Sequence, residues 1–392
     1  MWILLRVPSE KANVPKFKAN KRRFKRLRAV FSTLKDPRAS NVRHALFDVI
    51  FMALCATLAG AKTSFQVAAF AKAKEEFLCQ LLALEHGVPS HDTFSRIFRI
   101  LDPRAFEASF RRFTSLFCRA LGKDSVVAFD GKAIRNAVAE GGRFSPLHMV
   151  NVWACDAGLA LAQFKAPNRN EVAGALEVLD LLSIAGTFVT ADALHCRPDI
   201  AQAILDKNAD YVLALKANRP KLLTAVRRCI DQAQAPSRDE QPTVRSHGRF
   251  ERRRVTVVRA PGLADDHSFP GLRAVARIET WRGTTKLPKN PTLKHFVLSR
   301  FVSAKRLRRI ARAHWAIENH LHWRLDVTFG EDKARTLLGH GPENLAVLRK
   351  TALNMLQAHP AKMPLQHKIL RAGWRDDFLL EIFAHASKPC PA

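Results

Sequence analysis

Apolar residues recur at three- and four-residue spacings through the first third of the chain, which is the pattern of amphipathic helices. The clearest examples are residues 46–54 and 77–82. A further helix is predicted to begin at Ser90 or Asp92, either of which can cap it, and to end at Asp102 and Pro103. The pattern therefore predicts a helical region over about residues 36–120.

From residue 125 the apolar pattern changes to short runs that are typical of β-strands. Five such runs are predicted, at residues 125–130, 148–155, 159–165, 187–192 and 211–216. Two helical stretches, residues 168–182 and 198–207, separate the later runs. Three consecutive strands followed by β-α-β units predict an α/β sheet with helices packed on it.

A β-rich segment follows the fifth predicted strand. Residues 231–243 are polar and contain proline, which predicts a loop, whereas residues 250–259, 271–281 and 295–301 are predicted strands. Helical periodicity returns from Ser303 onward and includes residues 345–356 and 378–383. The chain is thus predicted to pass from helical to α/β to β-rich structure and back to helices.

The charge balance indicates the class of binding partner. The 392 residues include 64 Lys and Arg against 35 Asp and Glu, a formal net charge of +29. Hydrophobic residues make up 47%, which excludes wholesale disorder, and the length allows two or three domains. So large a cationic excess predicts a polyanionic partner, either nucleic acid or an anionic membrane.

A membrane is the weaker of these two partners. The longest apolar stretch, residues 49–61, is shorter than the roughly 18 residues that a spanning helix needs. The first residues lack a basic leader and a sustained apolar segment, so no signal peptide is predicted. The seven cysteines are odd in number and lack a C-x-x-C pair, which favours buried thiols in a reducing cytoplasm. These features predict a cytoplasmic protein that binds nucleic acid.

Two cationic segments are candidates for contacting nucleic acid. Residues 1–30 form a basic arm, and its candidate phosphate-binding residues are Lys21, Arg22, Arg23 and Arg26. Arg96 lies on the capped helix, which could enter the major groove of DNA. A solvated tail and an ordinary helical bundle explain the same two patterns, so both alternatives stay open.

Two predicted strands end in an aspartate. Asp130 and Asp192 each follow a hydrophobic run and precede a small residue. The carboxyl ends of strands are where open sheets place ligand sites, and two adjacent carboxylates repel each other unless a cation lies between them. Mg²⁺ suits that position because it prefers oxygen ligands and keeps exchangeable waters. The alternative is that each aspartate only caps the helix or turn that follows it.

Glu318 is the best candidate for a third acidic group. It lies on a predicted helix with His314 and His322 four residues away on either side, so the three share one helical face. A hydrogen-bonded surface stripe or a zinc site would explain the same spacing. The serine-hydrolase motif G-x-S-x-G and the phosphate-binding motif G-x-x-x-x-G-K-[ST] are both missing from the sequence, which argues against those two classes.

The motifs together resemble the DDE transposases of bacterial insertion sequences, most closely the branch that includes the H-repeat-associated proteins. The central segments are residues 129–132 (FDGK), 190–195 (TADALH), 210–216 (DYVLALK) and 314–323 (HWAIENHLHW). Residues 36–38, 43–44, 58–61, 89–94 and 101–103 resemble the amino-terminal associated domain of that branch. Residues 325–326, 331–332, 344–346 and 352–354 resemble its carboxyl-terminal end.

The resemblance implies an α/β fold: an RNase H-like core with a β-rich insertion, preceded by a helical amino-terminal domain. In these terms residues 1–30 are a basic arm, 31–120 a DNA-binding associated domain, and 121–392 the catalytic domain, with the insertion at about 217–303. It implies that Asp130, Asp192 and Glu318 are the catalytic, metal-binding triad. Mg²⁺ is the expected cofactor, with Mn²⁺ as a substitute.

The implied activity is DNA cleavage at element ends and strand transfer into target DNA. The partners are then double-stranded DNA and further copies of the chain assembled on it, in the bacterial cytoplasm at the nucleoid. One alternative is a catalytically inactive or co-opted DNA-binding protein derived from a transposase. Another is a related nuclease such as a junction resolvase, although the β-rich insertion argues against it.

The surroundings of the glutamate depart from those of related transposases, which carry Tyr, Arg and Lys at positions −7, −4 and +7. Here these positions hold Ala311, His314 and Leu325. Cationic and aromatic residues near the glutamate in sequence, and arginines in the predicted insertion, are further candidates for gripping phosphates or stacking on an unpaired base. These candidates are Arg252, Arg253, Arg312, Trp315 and Arg324.

Overall fold

A computed structural model of the chain describes residues 27–39, 42–116, 121–134, 146–246, 248–334, 336 and 338–386. Lys21, Arg22, Arg23 and Arg26 of the basic arm lie outside these ranges. No helix in the described ranges is long and apolar enough to cross a membrane.

The amino-terminal region is helical, as its apolar spacing predicts. After helical residues 27–31, its helices are α1 (Leu46–Leu58), α2 (Ser64–Ala73), α3 (Glu75–Cys79), α4 (His91–Ile100) and α5 (Pro103–Ser115). The Ser90 side chain caps α4 by accepting a hydrogen bond from Thr93 N, and Asp102 caps α5 in the same way. The predicted helix therefore ends at Ile100, and Asp102 and Pro103 begin the next helix, α5.

A single nine-stranded sheet forms the centre of the molecule. Its strands are β1 (Val126–Ile134), β2 (Leu147–Ala154), β3 (Leu159–Lys165), β4 (Phe188–Ala191), β5 (Asp210–Leu215), β6 (Ser237–Ser246), β7 (Arg249–Arg259), β8 (Ala274–Gly283) and β9 (Thr292–Leu298). They lie in the order β3-β2-β1-β4-β5-β9-β8-β7-β6. β4 is parallel to β1 and β5, and every other pairing is antiparallel. The first five strands have the order and directions of an RNase H-like core.

The β-rich segment extends this sheet through β9, which pairs with β5. The predicted loop at residues 231–243 is wrong in part, because β6 begins at Ser237 and forms the outer edge of the sheet. An edge strand can be polar on both faces and can contain proline, since one side of it needs no partner. Pro242 lies where the register between β6 and β7 shifts, so its missing N–H costs no ladder bond there.

Helices cover both faces of the sheet. The helices of this region are α6 (Glu171–Asp180), α7 (Pro198–Asp206), α8 (Pro220–Asp231), α9 (Leu263–Asp266) and α10 (Ala304–His314). α6, α7 and α8 bury apolar residues against one face, together with Val127 and Phe129 of β1. α10 packs on the other face, where Leu307 and Ile310 contact Phe188 and its neighbours.

The helices after α10 share a core with the amino-terminal helices. They are α11 (Trp323–Val327), α12 (Gly341–Ala358), α13 (Leu365–Trp374) and α14 (Asp376–Ala386). α12 packs against α1, α5 and β3. The buried Asn344 side chain donates to the carbonyl oxygens of Phe98 and Leu101, both at 2.8 Å, which ties α12 to the end of α4.

Candidate active site

Two aspartates lie side by side where the parallel pairing of β1 and β4 ends. The last paired residues are Phe129 and Ala191, and Asp130 and Asp192 are the next residues on their strands. Asp130 is not at the end of β1 as predicted, because the strand continues to Ile134 in its long antiparallel pairing with β2. The arrangement still places the two carboxylates on neighbouring strands, which are about 4.8 Å apart in a sheet.

Glu318 reaches the same place from the helical segment that follows α10. Residues Glu318–His322 form a π-helical turn, a feature that is frequent at functional sites. The His322 ring lies between two carboxylates, with Nδ1 3.5 Å from Asp130 Oδ2 and 3.7 Å from Glu318 Oε2. Ligand atoms of these three residues lie within 4.8 Å of one another, the arrangement of a candidate metal site.

His314, Glu318 and His322 were predicted to share one helical face, but the structure brings only Glu318 and His322 together. The His314 ring is buried and its Nδ1 lies 3.0 Å from the Thr190 hydroxyl of β4. Burial lowers the pKa of His314 to about 4, so the ring is neutral near pH 7. The π-helical turn changes the helical phase between the two histidines, and a zinc site made by this helix alone is not formed.

The carboxyl groups interact electrostatically. Burial, followed by the charges of Glu318 and Asp192, raises the pKa of Asp130 to about 8. The adjacent His322 ring outweighs burial and lowers the pKa of Glu318. Burial also acts to raise the pKa of Asp192, but the hydrogen bond and charge of His195 outweigh it, and the pKa is lowered. A bound cation would favour the ionised form of all three groups.

The residues present fit a divalent metal ion. Carboxylate oxygens are the preferred ligands of Mg²⁺, and Mn²⁺ accepts both carboxylates and imidazole. Two ligand atoms about 2.1 Å from one ion are about 3.0–3.5 Å apart at ordinary coordination angles, close to the separations around His322. Glu318 is 60% exposed and Asp192 is 45% exposed, so solvent reaches both carboxylates.

Asp192 has a capping function as well as an open oxygen. Its Oδ1 accepts hydrogen bonds from Leu194 N at 3.1 Å and from His195 Nδ1 at 2.8 Å. Its Oδ2 has no hydrogen bond within the described part of the chain. The alternative that Asp192 caps the turn after it is therefore correct for Oδ1, whereas Oδ2 remains available to a metal ion. Sequence reasoning missed His195 as a partner of Asp192, although its position three residues away is a signal for such a contact.

A buried ion-pair network lies beside Asp130. Lys132, two residues along β1, donates from Nζ to Asp326 at 2.5 Å and to Glu331 at 2.6 Å. Glu331 is fully buried, and although burial acts to raise its pKa, the charges of Lys350, Lys132 and other cations lower it to about 2. The network connects the strand that carries Asp130 to the segment that follows the glutamate helix.

A cation-lined groove of about 850 Å³ opens between α10 and the outer strands β7–β9, next to the π-helical turn. Its cationic lining residues are Arg249, Arg253, Arg282, Lys294, Arg308 and Arg312. Trp315 is 54% exposed on its wall, and Lys294 Nζ lies 4.2 Å from the centre of the Trp315 ring. Burial, followed by the nearby Lys216, Arg253 and Arg282, lowers the pKa of Lys294. The groove is thus a site of concentrated positive charge.

The predicted DNA-contacting residues are not all in this groove. Arg253, Arg312 and Trp315 line it. Arg252 lies on the opposite face of β7, where it pairs with Glu240 and lies 5.4 Å from the Trp281 ring centre. Arg324 is half-buried after the π-helical turn.

Arg96 lies in a different place, on the helical amino-terminal region. It lines a separate pocket of about 620 Å³ together with Arg38 and Arg43. The Arg38 guanidinium is held by Asp36 at 2.6 Å, whereas Arg43 and Arg96 are exposed.

The order and directions of β1–β5 define the fold of this region as RNase H-like. Two family models match the chain: "DDE_Tnp_1-associated" over residues 28–114 and "Transposase DDE domain" over residues 121–355. The chain therefore belongs to the DDE transposase family.

Curated relatives agree with this assignment over nearly their full lengths. YncI of Escherichia coli O157:H7 is 31% identical over 369 residues, covering 91% of this chain and 94% of the relative. The H repeat-associated protein YhhI of E. coli K12 is 29% identical over 354 residues, covering 88% and 93%. Both names assign these relatives provisionally to the transposases.

Two weaker likenesses complete the comparison. YbfQ of E. coli K12, named an inactive transposase, is 34% identical over 60 residues, which cover 15% of this chain and 71% of YbfQ. A cryo-EM structure of a piggyBac transposase synaptic complex with hairpin DNA has a TM-score of 0.45 at 10% identity, covering 91% of this chain and 77% of that chain. A TM-score of that size carries no argument about fold or function.

Proposed function

We propose that this DDE-family chain is an active insertion-sequence transposase that cuts DNA at element ends and joins the freed ends to target DNA. The observation that supports this most directly is the closeness of Asp130 and Glu318 beside a cation-lined groove, with Asp192 directly after the strand that pairs with β1. Carboxylates are useful next to DNA only if cations offset their charge. The paired acidic and cationic surfaces therefore suit metal-dependent phosphoryl transfer.

In this mechanism the carboxylates of Asp130, Asp192 and Glu318 would hold the divalent metal ions, with Asp130, whose charge interacts with both of the others, at the centre of the site. Such ions activate an attacking hydroxyl and stabilise the leaving oxygen of an in-line displacement. Water would attack the phosphorus at the element end, and cleavage of the P–O3′ bond would release a 3′-hydroxyl and leave a 5′-phosphate on the other side of the cut. That 3′-hydroxyl would then attack a phosphorus of the target DNA and displace the 3′-oxygen of the target strand, which leaves as a hydroxyl. His195 holds the Asp192 carboxylate in place through its hydrogen bond of 2.8 Å.

The groove supplies the DNA contact in this proposal. Its arginines and Lys294 would neutralise backbone phosphates, an interaction that is largely independent of sequence. Trp315 stands three residues before Glu318 with its ring exposed, where it can stack on an unpaired base near the scissile phosphate. Assembly of two copies on DNA is an expectation that rests on the family resemblance.

Cleavage of the DNA that flanks this reading frame tests the proposal. We expect Mg²⁺- or Mn²⁺-dependent cleavage by the wild-type chain and a loss of at least about 100-fold in Asp130→Asn, Asp192→Asn or Glu318→Gln. DNA binding, measured by gel shift, is expected to persist in all three variants. Asp180→Asn, which changes an exposed carboxylate at the end of α6, is the matched control.

Three outcomes would contradict the proposal. Wild-type cleavage rates in Asp130→Asn or Asp192→Asn would remove the catalytic assignment. Binding of the flanking DNA without cleavage in either metal would indicate a co-opted DNA-binding protein instead. Products that are cut but never joined to target DNA would indicate a nuclease other than a transposase.

A further inference from the structure

The His322 ring is held between two carboxylates at distances that do not suit hydrogen bonds. Its Nδ1 lies 3.5 Å from Asp130 Oδ2 and 3.7 Å from Glu318 Oε2, whereas N–H···O bonds are about 2.7–3.2 Å long. The ring is only 8% exposed, so water does not surround it. A nitrogen that faces two carboxylate oxygens at these separations has the position of a third ligand to one shared ion.

The other ring nitrogen meets a buried amide. His322 Nε2 lies 3.5 Å from Asn151 Nδ2, and Asn151, directly opposite Asp130 in the pairing of β1 and β2, is fully buried. The Asn151 Oδ1 atom has no hydrogen-bond partner in the part of the chain that the structure describes. Asn151 Nδ2 also lies 3.5 Å from the Met149 carbonyl oxygen, at the long limit of a hydrogen bond, and a half-turn of the side-chain amide would exchange its two nearly isosteric ends. With its oxygen toward the ring, Asn151 accepts a hydrogen bond from Nε2–H and leaves the Nδ1 lone pair directed at the carboxylates.

We propose that His322 Nδ1 is a ligand of the ion held by Asp130 and Glu318, and that Asn151 positions the ring by accepting from Nε2–H. This inference rests on the proposed function, because it assigns a further ligand to the same metal site. Metal-binding histidines generally donate their second ring N–H to an oxygen acceptor, which fixes the ring orientation. The Asn151 oxygen lies away from the ring and has no partner among the described residues, and turning the amide over would bring it to Nε2 and meet that requirement.

The second histidine near the site behaves differently. His195 Nδ1 makes a hydrogen bond of 2.8 Å to Asp192, so that nitrogen is already used. Its Nε2 is buried and has no hydrogen-bond partner among the described residues. His322 is therefore the histidine whose open nitrogen faces two carboxylates, and it makes the two halves of the site unequal. One ion would have an imidazole ligand and the other only oxygen ligands.

An imidazole ligand changes the preferred metal. Mg²⁺ favours oxygen donors, whereas binding by nitrogen donors strengthens from Mn²⁺ toward Zn²⁺. The site with His322 is therefore expected to bind Mn²⁺ more tightly than Mg²⁺. Replacing His322 with alanine should weaken Mn²⁺ binding by at least about 10-fold, with a smaller effect on Mg²⁺.

The decisive experiment detects a coordinated nitrogen directly and assigns it with two histidine variants. The full chain is labelled with ¹⁵N-histidine, loaded with Mn²⁺ without DNA, and measured by electron spin-echo envelope modulation. We expect ¹⁴N modulation from a coordinated imidazole in unlabelled protein and its replacement by a ¹⁵N signal after labelling. The signal should disappear in His322→Ala and persist in His367→Ala, which removes an exposed histidine on α13.

The outcomes separate this inference from the proposed function. Mn²⁺ binding that depends on Asp130 but shows no nitrogen coupling would overturn the His322 ligand and leave the proposed metal-dependent activity intact. The same holds if the coupling survives in His322→Ala. If Mn²⁺ does not bind the wild-type chain at all, both fail. An Asn151→Ala variant should weaken Mn²⁺ binding by about 10-fold if the amide positions the ring.

Discussion

Asp130 has the most strongly perturbed carboxyl group of the candidate triad, and the cause is its position. It is 16% exposed and faces Glu318 and Asp192, so ionising it without a cation places like charges together. Such groups are often found at functional sites, where the site's chemistry is favoured at the expense of the metal-free fold. The same charge crowding that would bind metal ions should therefore destabilise the protein when metal is removed.

The pH dependence of stability tests this at a single residue. Because the pKa of Asp130 is raised from 3.8 to about 8, its neutral form stabilises the fold below about pH 4, and that contribution is lost as pH rises to about 8. The difference between 3.8 and about 8 sets an upper bound of about 6 kcal/mol on the contribution of Asp130 to the free energy of unfolding. Without metal, Asp130→Asn should therefore unfold at a higher temperature than wild type at pH 8, with a smaller difference at pH 5.

Thermal unfolding of the metal-free protein, followed by circular dichroism, measures this difference. The Asp180→Asn variant should follow the wild type at both values of pH. Parallel behaviour of wild type and Asp130→Asn between pH 5 and 8 would contradict the electrostatic account. Added Mn²⁺ should stabilise the wild type at pH 8 more than it stabilises Asp130→Asn, because ligand binding to the folded state adds to stability.

Sequence patterns could indicate the aspartates but not the contacts around them. Asp130 and Asp192 are visible because each follows an apolar run of strand type. His322 is visible only as a neighbour of Glu318 along a helix, and its approach to Asp130 depends on the π-helical turn. A π-helical turn depends on tertiary packing and has no simple sequence signature.

At the level of elements, β1 is fixed by a network that no local pattern could predict. Lys132 contacts residues 194 and 199 positions later in the chain. The edge strand β6 is a second case: its polar sequence is typical of a loop, and only pairing with β7 makes it a strand. Strands with a buried apolar face were predictable because burial leaves a pattern, whereas pairing through the backbone alone does not.

Removing Lys132 tests the network as a connection between elements. In Lys132→Met, Glu331 keeps its burial but loses a partner, which should cost about 3–5 kcal/mol in the free energy of unfolding. The double variant Lys132→Met with Glu331→Gln should recover part of that loss, because the uncompensated carboxylate is gone. Urea denaturation of the two single variants and the double variant measures the coupling energy.

A coupling energy near zero would show that Lys132 and Glu331 are independent. Activity gives a second readout that stability alone would not change. If the network positions Asp130, the double variant should still cleave DNA more slowly than wild type even where both are fully folded.

At the level of the whole molecule, the helices at the two ends of the chain form one hydrophobic core. Phe106 and Phe110 of the amino-terminal region share this core with Leu353 of α12 and Leu325 of α11. Apolar periodicity predicts which face of a helix is buried but not which partner covers it. The two helical regions were therefore predictable from the sequence, but their packing into one shared core was not. It connects the amino-terminal region to the segment that carries Glu318.

The cationic residues behind the net charge of +29 differ in whether they have an ion-pair partner. In the groove, Glu251 pairs with Arg253 at 2.6 Å and with Arg282 at 2.7 Å, and Asp239 pairs with Arg308 at 2.5 Å. Arg312 has no ion-pair partner in the part of the chain that the structure describes. A cation without a protein partner loses least when it binds a phosphate, so Arg312 should contribute more to DNA binding than its paired neighbours.

The salt dependence of DNA binding tests whether Arg312 contacts a backbone phosphate. Each phosphate contact changes the slope of log K against log salt concentration by about 0.9 for duplex DNA. Arg312→Ala should therefore reduce the slope by about one and weaken binding similarly for all duplex sequences. Arg309→Ala is the matched control, because Arg309 is an exposed arginine on the same helix that does not line the groove. Equal slopes for the two variants would indicate that DNA follows another surface, since the groove would then add no phosphate contact of its own.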